Sequence, residues 1–92
     1  MALIVGKIKR IEALKQITET FKSQEVIVET EEQFSQTVSV QFQQDKTDLL
    51  QNFAPGQKVK IEYYLKGKEV TKDGKPPMVF NTLSGWKIEK LV

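Results

Sequence analysis

Between residues 36 and 43 the chain alternates without a fault: Val38, Val40 and Phe42 hold one parity, and Thr37, Ser39, Gln41 and Gln43 the other. Side chains of extended backbone leave on opposite sides in turn, so this period marks a strand with one dry and one wet face. The pattern recurs three times. In residues 20–31, Val26, Val28 and Thr30 oppose Glu25, Ile27 and Glu29. In residues 58–66, Val59, Ile61, Tyr63 and Leu65 oppose Lys58, Lys60, Glu62, Tyr64 and Lys66. The last strand runs over residues 78–91, where Phe80 and Thr82 share a register with Trp86 and Ile88 while Leu83 takes the other, which predicts a bulge near Ser84 and Gly85. Residues 3–12 supply a further strand through Leu3, Ile4, Val5, Ile8 and Ile11, with Gly6 placed for a bulge or a sharp coil.

The connections fit these strands. EEQFSQ, residues 31–36, joins the second strand to the third as a hairpin. Residues 45–53 are the one helix candidate: Asp45 as cap, Asp48 in the first turn, Leu49, Leu50 and Phe53 as the buried stripe, and Pro55-Gly56 as the stop. Two turns cannot stand alone, so this helix must plug a surface made by strands. Lys72-Asp73-Gly74-Lys75 is a turn signal, and Pro76-Pro77 prevents regular pairing at its end. Three strands, a short helix and two strands, with a glycine coiling the first, is the order of a five-stranded Greek-key OB-fold barrel, all-β with one short helix. An SH3-like barrel would need shorter strands and no helix at that point. A chain of 92 residues has material for one core, so residues 1–92 are read as a single OB-fold domain.

Composition narrows the chemistry. The chain has no cysteine and no histidine, which removes disulfides, thiolate nucleophiles, imidazole bases and nearly every zinc site. Glu29, Glu31 and Glu32 lack the spacing of a metal cage, and the KDGK turn has too few oxygen ligands for calcium. No enzyme activity, cofactor, metal or small-molecule substrate is expected. The apolar run of MALIVGKIKRIE is too short for a signal-peptide core or a membrane span, so the expected location is the cytoplasm, with no membrane partner.

Net charge is only +2, but its distribution is uneven. Residues 1–22 carry five cations against two carboxylates, and residues 54–75 six against three, whereas residues 23–53 carry six carboxylates against Lys46 alone. The barrel is therefore polarised, basic at its first strand and at its last hairpin.

Gly56-Gln57-Lys58-Val59-Lys60-Ile61-Glu62, the long fourth strand, the loop with Asp73-Gly74-Lys75 and the aromatic fifth strand resemble the matching hairpin of bacterial single-stranded-DNA-binding proteins. Val5-Gly6-Lys7-Ile8 is similar to the start of their first strand. The whole chain, through FKSQEVIVETEEQ, QDKTDLL and FNTLSGWKI, resembles a small uncharacterised family of bacterial and phage OB-fold proteins regarded as relatives of those binding proteins. The resemblance implies single-stranded nucleic-acid binding, DNA more than RNA and without strong sequence preference, in replication, recombination or repair. It also implies a homo-oligomer, dimer or tetramer. The long acidic-tipped tail of those proteins has no counterpart in Lys87-Ile88-Glu89-Lys90-Leu91-Val92, so recruitment through a tail is not implied.

OB-folds hold single strands with a cationic groove for phosphates and aromatic rings for bases. The candidate cations are Lys7, Lys9 and Arg10 on the first strand, Lys22 at the start of the second, Lys60, Lys66 and Lys68 on the fourth, and Lys72 and Lys75 in its loop. The candidate rings are Tyr64, Phe21, Phe34 and Trp86; Phe42, Phe53, Tyr63 and Phe80 are assigned to the core. Each candidate has a plainer reading. Outward lysines also solubilise an edge, Tyr64 can be a subunit contact, Phe21 and Phe34 can cover a barrel end, and Trp86 can follow Ile88 inward. Glu25 and Glu29 stand on the outer face of strand two, where they would repel phosphate. The other function consistent with these residues is a protein-interaction OB module or oligomeric scaffold with no nucleic-acid ligand.

Overall fold

The computed structural model describes residues 2–91. Its strands are β1 (Ala2–Ile11), β2 (Lys15–Gln16), β3 (Lys22–Thr30), β4 (Thr37–Gln43), β5 (Lys58–Val70) and β6 (Met78–Lys90), with a 3-10 helix, Gln44–Asn52, between β4 and β5. They form one sheet in the order β1-β5-β6-β4-β3-β2, and a further pairing of β1 with β3 closes it into a barrel. Every pairing is antiparallel except β4 with β6, which is parallel through Val40–Leu83 and Gln41–Ser84. This is the OB-fold topology, with β2 as a two-residue extension beside β3.

Closure depends on β1, which pairs with β5 over its first half and with β3 over its second. Gly6 lies at the changeover, opposite Val59 on one side and Thr30 on the other. A Cβ there would meet the carbonyl oxygen of Glu29 and lie 2.8 Å from Val28 Cγ1, so close approach demands the glycine. Of the bulge or sharp coil expected at Gly6, the bulge itself lies further on, between Ile8 and Arg10, making Lys9 the extra residue.

The core is the inward parity of the strands: Ile4 and Ile8, Val26 and Val28, Val40 and Phe42, Val59 and Ile61, and Ile88, with Leu50 from the helix. Ile27 departs from the alternation, being buried on the outer parity of β3 where it pairs with Arg10 and Ser39. The second bulge comes where parity predicts it, one residue along, with Trp86 as the extra residue between Lys87 opposite Glu62 and Gly85 opposite Tyr63. A Cβ on Gly85 would lie 2.6 Å from Cε1 and Cε2 of Phe42, so that glycine makes room for the largest fully buried ring.

The helix keeps its place but not its expected form. It begins one residue earlier, its N-cap Gln43 makes no side-chain capping bond, and Asp45 lies inside its first turn. At three residues per turn, Thr47, Leu50 and Phe53 share a face, while α-helical spacing would have grouped Leu49 with Leu50 and Phe53. Thr47 and Leu50 are accordingly buried, Phe53 half-buried and Leu49 exposed. Thr47 is satisfied there by donating its hydroxyl to the Gln44 carbonyl at 2.8 Å.

The other departures concern the last hairpin. β1 pairs with β5 only as far as Tyr63, and β4 meets β6 only at Leu83 and Ser84, yet β5 and β6 continue together to the Val70–Met78 pair. Beyond the barrel they run as a two-stranded ribbon, in a molecule measuring 51 by 36 by 22 Å. Leu65 keeps the inward parity there with no core beneath it, whereas the bulge at Trp86 reverses the parity of β6 and sets Phe80, opposite Lys68, on the outer face. Leu65 is 64% exposed and Phe80 51%, so neither is the core residue its pattern suggested.

Candidate nucleic-acid interface

Residues directly opposite in an antiparallel pair share a face. Tyr64 lies opposite Ser84, Lys66 opposite Thr82 and Lys68 opposite Phe80. Since Lys58 and Lys60 are outward on the same strand, these six residues continue the outer face of the barrel onto the ribbon. Tyr64 and Phe80 are separated by four residues along the strands, about 13 Å at 3.3 Å per residue. Lys66 and Lys68 stand between and beside them.

Side-chain hydrogen bonds fix the base of this face. Lys66 donates from Nζ to Gln43 Oε1 at 3.3 Å, and Gln43 Nε2 donates to Gln41 Oε1 at 2.9 Å. The Lys66 ammonium lies 5.3 Å from the centroid of the Tyr64 ring, close enough for a cation–π attraction. The Tyr64 phenol is drawn below its ordinary pKa, first because the Ser84 hydroxyl can donate to its ionised form, next because Lys66 does the same; Lys46 on the helix adds a weaker electrostatic pull. The β2–β3 turn joins from the side. The Lys22 backbone N–H donates to Gln44 Oε1 at 3.2 Å, and Gln44 Nε2 donates to the Thr20 carbonyl at 2.8 Å, setting half-buried Phe21 beside the helix start.

The structure thus brings Tyr64, Lys66 and Lys68 onto one face, with Phe21 and Lys22 attached at its end, and sends the other candidates elsewhere. Lys72 and Lys75 sit in the exposed turn at the ribbon tip, where the Lys75 N–H donates to the Lys72 carbonyl. Lys60 lies four residues back along β5 and is ion-paired with Glu89 at 3.5 Å. Arg10 pairs with Glu12 at 2.9 Å, and neighbouring Lys58 and Lys87 pair with Glu31 and Glu89, both at 2.9 Å. Lys7 and Lys9 are exposed on β1, across β5 from the ribbon face. Phe34 is 76% exposed in the β3–β4 turn, and exposed Trp86 occupies the β6 bulge. Among the described residues, Lys46, Lys66 and Lys68 have no carboxylate partner, and neither do Lys7 and Lys9 on β1.

Sequence reasoning missed Phe80, Lys46 and the glutamines of β4. The signal for Phe80 lay in the hairpin register: a loop of residues 71–77 pairs Val70 with Met78 and hence Lys68 with Phe80. Of the acidic residues of β3, Glu25 reaches the rim of this face, opposite Gln41. Glu25 accepts from Ser39 at 3.1 Å and lines a cleft of about 310 Å³ with Gln41, Leu65, Asn81 and Thr82, while Glu29 is opposite Lys7 on the β1 side. No group of carboxylates able to hold a metal ion occurs among the described residues, and no helix of theirs is long and apolar enough to cross a membrane.

Residues 3–89 match the family model described as Domain of unknown function (DUF3127). No curated protein matches the chain significantly. Among solved structures, the chain is similar to Rim1, a mitochondrial single-stranded DNA binding protein from S. cerevisiae, at 13% identity and a TM-score of 0.72, covering 98% of this chain and 92% of that one. At that identity the likeness shows the fold.

Proposed function

The chain belongs to that family of unknown function, and we propose from its geometry that it binds single-stranded nucleic acid, DNA before RNA, without strong sequence preference and without catalysis. The observation that carries this reading is the outer face of β5 and β6, where Tyr64 and Phe80 alternate with Lys66 and Lys68 and no carboxylate pairs with either lysine among the described residues. Exposed rings offer π faces to bases whatever their identity, and the lysines hold the phosphates between them. A structural neighbour named for single-stranded DNA binding supports the reading, as does the pairing of Lys58 and Lys60 with Glu31 and Glu89, which leaves Lys66 and Lys68 as the unpaired lysines of β5 among the described residues. Replication, recombination or repair is the setting such binding would serve.

Titration of fluorescently labelled oligo-dT at low and moderate salt tests it. Each stacked base contributes roughly 1 to 3 kcal/mol, so Tyr64→Ala and Phe80→Ala should each weaken binding roughly 5- to 150-fold. Absence of binding at low salt removes the proposal. The alternative, a protein-interaction module with no nucleic-acid ligand, draws support from exposed Leu65, Met78 and Val79, and would be favoured by that result.

A further inference from the structure

The ribbon has two free edges of different chemistry. Beyond Tyr63 the β5 edge carries Lys66, Lys68 and Glu69, the charged residues with which natural sheets blunt an exposed edge. The β6 edge, residues 78–82, has the sequence MVFNT and carries no charge, and β4 joins β6 only from Leu83 onward. Val79 there is 65% exposed, on the face opposite Phe80. Unpaired backbone along an uncharged, apolar strand calls for another strand, and a two-stranded ribbon by itself is marginal in water.

We propose that β6 pairs antiparallel with β6 of a second copy of this chain, so that the two ribbons form one four-stranded sheet. An antiparallel pair about a two-fold axis makes a segment its own complement, and this one sets uncharged residues against uncharged residues. Charge selects this edge. Joining the β5 edges would bring lysines of the two copies within about 5 Å of one another. Joining the β6 edges keeps two whole strands between them, about 14 Å at 4.8 Å per strand, beyond the Debye length of about 10 Å at 0.1 M salt. Where the nucleic-acid reading also holds, on which this corollary alone rests, the two basic faces become one surface with the Phe80 rings near its middle.

The test uses the chain without nucleic acid: sedimentation velocity from micromolar to millimolar concentration, with amide hydrogen exchange at both ends of that range. A dimer is expected, with amides of residues 78–82 exchanging more slowly as concentration rises. Val79→Lys, at an exposed position outside the binding face, should give a monomer with unchanged circular dichroism, whereas Glu69→Gln on the β5 edge should leave the dimer intact. A wild-type monomer throughout, a dimer that survives Val79→Lys, or open-ended polymers would each overturn the proposal. A dimer that ignores oligo-dT would support it while removing the nucleic-acid reading, and a monomer that binds oligo-dT would do the reverse.

Discussion

Tyr63 and Tyr64 are neighbours in sequence and have unlike surroundings. Tyr63 packs half-buried against the barrel core, whereas Tyr64 meets Ser84, Lys66 and solvent. Because Ser84 contributes most to the lowered Tyr64 pKa, Ser84→Ala should raise it, as read by ultraviolet titration of the phenol. The sign carries to binding. Ionised Tyr64 would place negative charge beside the proposed phosphate path, so affinity for oligo-dT should begin to fall at a pH below the ordinary phenol range, and Ser84→Ala should move that fall upward. Gly85 has a different role, because the Phe42 ring occupies the space a side chain would need. Gly85→Ala overpacks the core and should cost about 1 to 3 kcal/mol in chemical denaturation, with part recovered by adding Phe42→Leu. The alternation already separates Tyr63 inward from Tyr64 outward, whereas the Ser84 contact and the clearance at Gly85, which the sequence marks only as a bulge signal, come from the tertiary structure.

At the scale of elements, the strands were legible because period two leaves little choice where a core lies on one side. The 3-10 helix was legible in position and misread in phase. With no capping side chain at Gln43, the nine residues Gln44–Asn52 take the tighter winding, and the buried set moves from Leu49 to Thr47. The two leucines separate these phases. Leu50→Ala should cost about 2 to 5 kcal/mol, while Leu49→Ala should stay within about 0.5 kcal/mol, both measured by urea unfolding. The ribbon was the larger misreading. Leu65 obeys strand parity, yet parity says which side a residue faces and not whether anything covers that side, while Phe80 falls on the outer side because the Trp86 bulge reverses parity along β6.

For the whole molecule, placement of charge matters more than its total. On β5, Lys58 and Lys60 are met by Glu31 and Glu89 while Lys66 and Lys68 of the ribbon face have no such partner among the described residues, so the unpaired charge of that strand gathers on the ribbon. The slope of log affinity against log salt should therefore fall by somewhat less than one phosphate contact in Lys68→Gln, at about 0.7 per contact for single strands, and stay unchanged in Lys60→Gln. The sequence by itself determined the OB-fold, its single core, the hairpin turn and the absence of thiol and imidazole chemistry, because these follow from alternation, strand order and composition. Only the tertiary structure decided which candidates share a face. Closure of β1 onto β3 and β5 set Lys7, Lys9 and Arg10 apart from Tyr64, and the early departure of β5 and β6 from the barrel left Leu65 exposed on an inward face with no core beneath it. Both depend on where strands stop pairing, a long-range property that local period does not encode.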